Sequence, residues 1–170
     1  MYQHILLAID DSPTSAKALT EISHIAEPGA TVRVVNVVED PVLTFPSVYS
    51  GYYDIESVRD AMLQAGRELL GNAERQLRGY GVDVQTRLLD LRELAVDIAT
   101  AIHDESVRWP ADLMVLGTHG RRGARRVLMG SVAEQLMRTA TQPVLLVRSD
   151  APAQPAGEAS QATGQAEPQH

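Results

Sequence analysis

The stretch LMVLGTHGRRGARRVLMGS, residues 113–131, starts as a short apolar run and ends at a serine that can open a helix. Between them lie Gly117, Gly120, Gly123 and Gly130, together with Arg121, Arg122, Arg125 and Arg126. A strand, a glycine-rich turn and a helix in that order make one βα step of an α/β domain. Such a loop can also wrap an anion. Gly117 would let the chain turn sharply, and Gly120 would let backbone N–H groups close on a ligand. Gly130 and Ser131 would stand at a helix start, where unpaired N–H groups and the helix dipole attract negative charge. The residues alone leave a second reading open, because Ser131-Val-Ala-Glu134 has the spacing of a capping box and needs no ligand.

The same β-then-α alternation extends in both directions from this loop. Residues 4–9 and 31–38 read as strands. Between them Ser12 and Pro13 fit an N-cap and first helical position, Leu19, Ile22 and Ala26 form a stripe, and Pro28-Gly29 is a stop. Asp54 is placed to cap a long helix to about residue 80, with Val58, Met62, Ala65, Leu69, Ala73 and Leu77 on its buried face; Gly66 and Gly71 interrupt its helical character. Residues 82–89 read as the third strand. Asp90-Leu-Arg-Glu93 has capping-box spacing and would open a third helix carrying Leu94, Ile98 and Ile102. Residues 112–117, 131–140 and 143–147 complete the pattern as strand, helix and strand. Five strands alternating with amphipathic helices predict a single α/β domain built on an open, doubly wound parallel sheet with helices on both faces.

Residues 149–170 hold no Val, Ile, Leu, Met or aromatic side chain. A segment so poor in apolar surface cannot offset its ordering entropy, so a disordered Ala/Pro/Gln-rich tail is expected after a domain of residues 1–148. Residues 45–53 are irregular and carry Phe45, Tyr49, Tyr52 and Tyr53. They could fold over a ligand or pack on the long helix, and packing is the expectation.

Composition excludes several classes. The 170-residue chain has no cysteine, which removes disulfide scaffolds and thiolate metal sites. It has no apolar run near the ~18 residues of a membrane span, and its first residues lead straight into a strand rather than a signal peptide. A cytoplasmic protein without membrane partners is expected. A net charge of −7 argues against a nucleic-acid-tracking surface, while four arginines within six positions suggest a small anionic ligand. The phosphate signatures G-x-x-x-x-G-K-[ST] and G-x-G-x-x-G after the first strand are both absent. Asp10 ends the first strand and would face the glycine loop if strands one and four are neighbours.

These residues together resemble the universal stress protein family, in the branch that binds ATP. The likeness spans about residues 1–148 and rests on Ile5-Leu-Leu-Ala-Ile-Asp10-Asp-Ser12, Val35-Asn-Val-Val38, Ala111-Asp-Leu-Met-Val-Leu-Gly-Thr-His-Gly120, Gly130-Ser-Val-Ala-Glu134 and Pro143-Val-Leu-Leu-Val147. The spacing G-x2-G-x9-G-S matches the family's nucleotide motif in full. The resemblance implies strand order 3-2-1-4-5 and a homodimer through residues 143–147. It also implies ATP, with Mg as its counter-ion. Asp10 and the backbone of Val37 would hold the adenosine part, and Gly117 would lie near the ribose. Gly120, Arg121, Gly130, Ser131 and Val132 would cradle the phosphates, with Ala8 and Leu116 at the strand ends completing the set.

The function this implies is a stress-response protein acting as a nucleotide-dependent dimeric switch or interaction module with an unknown protein partner. The alternatives are an ATP-using enzyme, by slow hydrolysis or adenylyl transfer, and a scaffold that binds no nucleotide. Neither S-G-G-x-D-S nor H-I-G-H is present, and His119 has no partner that the sequence can place beside it, so no catalytic residue is assigned. Gly130→Ala is expected to abolish binding: if Gly130 has positive φ, a Cβ there costs on the order of 1–2 kcal/mol and would crowd a phosphate.

Overall fold

Strand β1, His4–Ala8, has every residue after His4 buried, as expected of a central strand covered on both faces. The computed structural model describes residues 2–44, 54–118, 120 and 129–148, without the side chains of residues 43 and 44. His119, the four loop arginines 121, 122, 125 and 126, the aromatic segment 45–53 and the tail 149–170 lie outside the described residues.

In chain order the elements are β1, α1 (Pro13–Ile25), β2 (Thr31–Val38), α2 (Pro41–Thr44), α3 (Ile55–Arg78), β3 (Asp83–Asp90), α4 (Leu91–Leu94), α5 (Ile98–Arg108), β4 (Leu113–Gly117), α6 (Ser131–Thr139) and β5 (Val144–Val147). All four strand pairings are parallel, and the sheet order is β3-β2-β1-β4-β5. Alternation along β1 divides the core. Ile5, Leu7 and Ile9 join the α1 and α3 side with Ile22, Leu70 and Leu77. Leu6 and Ala8 join the α5 and α6 side with Ile102 and Leu136.

Local chemistry sets most helix starts. The Ser12 hydroxyl accepts from the Ser15 N–H and Pro13 takes the first helical position; Asp54 and Asp97 cap α3 and α5 in the same way. α1 ends at Ile25, so Ala26 is its C-cap and stands half-buried rather than completing a buried stripe.

Three expectations are corrected. The buried face of α3 runs through Leu63, Gly66, Leu70, Ala73 and Leu77, while Ala65 is exposed and Val58, Met62 and Leu69 are only half-buried. The face is rotated because α3 comes closest to the sheet at Gly66. A Cβ built there would lie 2.7 Å from both Asn36 Oδ1 and Leu88 Cδ1. The helix after β3 is broken in two. Asp90 caps only the single turn of α4, Ala95 adopts the left-handed region at φ 54°, and Asp97 then caps α5. Finally, Gly130 rather than Ser131 is the N-cap of α6, so Ser131-Val-Ala-Glu134 is not a capping box: Glu134 N donates to Gly130 O at 2.9 Å.

Candidate functional site

The carboxyl ends of β1 and β4 lie side by side, and the two chains leave them toward different helices. That divergence opens a crevice. On the β1 side, Ile9 N still donates to Val35 O at 2.9 Å, but the Ile9 carbonyl is taken by the Asn36 side-chain amide, also at 2.9 Å. Asn36 is buried, so its amide substitutes for a backbone ladder bond where the strand peels away. Asp10 follows at once. Its Oδ1 accepts from Ser12 N at 3.0 Å and from Ser15 Oγ at 2.7 Å, while Asp10 N donates to Ser15 Oγ at 3.0 Å. One carboxylate oxygen is thereby held by the first turn of α1, which fixes the direction of the other.

On the β4 side, Gly117 ends the strand against α1. A Cβ there would overlap Thr14 Oγ1 and lie 2.7 Å from Thr14 Cβ, so the glycine makes room for the helix start. Thr118 N donates to Val147 O at 2.8 Å, and Gly130 N donates to Thr118 O at 2.7 Å. The loop between Thr118 and Gly130 therefore departs and returns at one anchored point. Gly120 sits over Asp10, where a Cβ would stand 2.7 Å from Asp10 Oδ2.

Gly130 has φ −74°, an ordinary extended value, so the left-handed condition is not met and alanine carries no such backbone cost there. Its consequence is different: it brings no side chain to cap α6. Gly130 N is bonded to Thr118 O, which leaves the first-turn N–H groups of Ser131, Val132 and Ala133 without intrahelical acceptors. Helices α1, α3 and α5 each have a side-chain cap; α6 has none among the described residues.

The crevice has a volume of about 480 Å³, within the range of small-molecule sites. Ala8, Asp10, Val37, Leu116, Gly117, Gly120, Gly130, Ser131 and Val132 all line it. Arg121, the remaining residue of the predicted set, lies outside the described residues. The structure adds a floor and wall that sequence reasoning did not name: Val35, Ile98, Ile102 and Met129 are apolar, and Ser15, Glu39, Thr118 and Glu134 are polar. Ile98 and Ile102 were readable as a helix stripe, but not as one whose upper end meets a cavity. Ser15 belongs to a run of Ser and Thr at a helix start that is indistinguishable, in sequence, from capping alone.

Such an arrangement defines a class: a doubly wound α/β domain with its concave site outside the strand ends at the topological switch point. The chain belongs to the universal stress protein family, whose family model matches residues 1–148. Universal stress protein YxiE of Bacillus subtilis is 31% identical over 153 residues, covering 87% of this chain and 100% of that protein. A solved structure of a universal stress family protein from Burkholderia pseudomallei is 31% identical with a TM-score of 0.68, covering 86% of this chain and 96% of the other. A family protein from Arabidopsis thaliana, solved with AMP bound, shares the fold at 18% identity and TM-score 0.61, covering 88% of this chain and 93% of its own.

Proposed function

We propose that the crevice binds an adenine nucleotide, ATP with Mg2+ as its counter-ion, and that the protein works as a dimeric, cytoplasmic, nucleotide-dependent interaction module. The observation that carries this reading is the start of α6, which has no side-chain cap among the described residues. Ser131, Val132 and Ala133 of its first turn line a cavity of about 480 Å³ that Asp10 lines too. An anion at the N–H groups of that turn gains from both hydrogen bonding and the helix dipole. AMP in the distant Arabidopsis relative supports adenine as the base.

In this reading Asp10, with Oδ1 fixed by Ser12 and Ser15, offers Oδ2 to the ribose hydroxyls or the adenine amine. The apolar wall of Val35, Val37, Ile98 and Ile102 takes the flat face of the base, and the Val37 backbone reads its edge. Gly117 lies beside the ribose. Gly120 keeps the loop close to Asp10, and Arg121 adds charge at the phosphates with Gly130, Ser131 and Val132. Among the described residues no group of three acidic or histidine side chains converges to cage a metal. Mg2+ would accompany the phosphates as their counter-ion and would supply charge neutralisation there. Ordering of the 117–131 loop on the nucleotide is the switch, and pairing of β5 with a second copy protects an apolar edge strand on which Leu145 is exposed.

Thermal unfolding with and without MgATP, with MgGTP as control, tests the binding. Ligand at 100 times its Kd stabilises by about 2.7 kcal/mol, or roughly 5–10 °C for a domain of this size. A shift with ATP that GTP does not reproduce is expected, and Gly120→Ala, which drives a methyl into Asp10 Oδ2, should abolish it. No shift at millimolar ATP overturns the proposal.

A further inference from the structure

Away from the crevice, on the face of β2 and β3 beside α5, one carboxylate gathers three guanidinium groups. Glu105 is wholly buried. Its Oε1 pairs with Arg33 Nη1 at 2.8 Å, and its Oε2 with both Arg87 Nε at 3.2 Å and Arg108 Nη1 at 2.7 Å. Arg33 already suffices to neutralise it. That arginine is mostly buried, donates through Nη2 to Gln85, and lies over the Trp109 ring with Cζ 4.7 Å from the centroid. Arg87 and Arg108 are different. Their side chains are 50% and 55% exposed, and each commits one nitrogen to the shared oxygen. Among the described residues neither meets a second carboxylate, and the cluster keeps two positive charges on a chain whose net charge is −7.

Because both guanidiniums reach the same oxygen, the bonded nitrogens stand at most about 6 Å apart. Like charges so close repel, and the repulsion is relieved by a second anion bridging their outer edges. Each half-exposed guanidinium keeps donors beyond the one nitrogen bonded to Glu105, and such donors suit a phosphate or carboxylate. Glu105 also lowers the ordering cost, since it holds one nitrogen of each guanidinium before any ligand arrives.

The geometry points to a second anion site here, in which Arg87 and Arg108 clamp a phosphate group over buried Glu105. The phosphate group is the shared chemistry; it can arrive free or carried on a nucleotide. This site is distinct from the crevice: Arg87 is in register with Val35, which lines the crevice, but none of Arg33, Arg87, Glu105 and Arg108 lines it.

The test follows the arginine Nε–Hε resonances of the full chain by NMR, titrating pyrophosphate against sodium chloride at matched ionic strength. Saturable shifts at Arg87 and Arg108 are expected. Loss of a charge-assisted pair in Arg87→Gln or Arg108→Gln should weaken the half-saturation point by about tenfold or more. Both variants retain the Arg33–Glu105 pair, so the fold is kept. ATP in a parallel titration decides the source: shifts with both probes mean that a nucleotide can deliver the phosphate, and shifts with pyrophosphate alone mean a free anion. Shifts that are linear in concentration and equal to those from chloride, or no shift at the Arg87 and Arg108 resonances, overturn the site.

Discussion

Two glycines five residues apart on α3 should respond differently to the same substitution. At Gly71 an added Cβ has only Arg75 Nη1 within 4 Å, at an ordinary 3.6 Å. Gly71→Ala therefore gains the helix propensity of alanine, about 0.8–1 kcal/mol, with no packing cost. At Gly66 the same methyl meets Asn36 Oδ1 and Leu88 Cδ1 at 2.7 Å and Val38 Cγ2 at 3.2 Å. Ordinary contact starts at 3.4 Å, so the neighbours or the helix must give by about 0.7 Å. Asn36 cannot swing away without abandoning its bond to Ile9 O. Overpacking of this kind costs about 1–3 kcal/mol, which outweighs or cancels the propensity gain. In thermal unfolding Gly71→Ala should rise by about 2–4 °C, and Gly66→Ala should fall below it by about 3–10 °C. Gly66→Ala should also weaken ATP binding more than Gly71→Ala, because the pressure reaches Ile9 and Asp10 through Asn36. Equal melting temperatures for the two variants would refute the claim that α3 touches the sheet at Gly66.

Two further outcomes follow from local geometry. Ala95, at φ 54°, is the one non-glycine residue with positive φ among the described residues, so Ala95→Gly should stabilise by about 0.5–1 kcal/mol in urea unfolding; a loss of stability would show that its methyl packs usefully. The Asp97 carboxyl is held below its usual 3.8, first by the Thr100 N–H and then by the Thr100 hydroxyl and Gln135. A depressed folded pKa means that this stabilisation is complete above pH 3.8 and fades as pH falls through the lower folded value. The stability gap between wild type and Asp97→Asn should therefore be constant from pH 7 to about pH 5 and narrow below pH 3.8. A gap that persists unchanged at pH 3 would mean the cap acts without its charge.

The order of strands and helices was readable because burial on both faces leaves its mark in β1, β2 and β4 as near-continuous apolar runs, and because Ser12 and Asp54 are good caps wherever they fall. What escaped was what depends on a neighbour remote in sequence. Nothing in residues 90–102 tells that Ala95 takes the left-handed conformation, since alanine is a strong helix former and the break serves the descent of α5 onto β2. The rotation of α3 likewise depends on Asn36, thirty residues earlier, whose amide is committed to Ile9.

The glycine motif shows the limit most clearly. Its spacing marked the site, but the turning freedom first attached to Gly117 does not hold: among the described residues only Gly29 and Gly81 have positive φ. Gly117 and Gly120 instead stand where a Cβ would strike Thr14 and Asp10, and Gly130 stands where a side chain would cap α6. Each leaves out an atom, and the three omissions differ in consequence. The first lets α1 start against β4, which anchors Asp10 through Ser15. The second lets the loop approach that carboxylate. The third brings no side chain to cap the first turn of α6, which lines the same cavity. Backbone freedom would be satisfied by any turn-compatible residue such as asparagine; a missing Cβ is satisfied by glycine alone. A motif of this kind is thus held in place by the packing of α1, β4 and α6 before any ligand is considered, and the crevice is what that packing leaves between them.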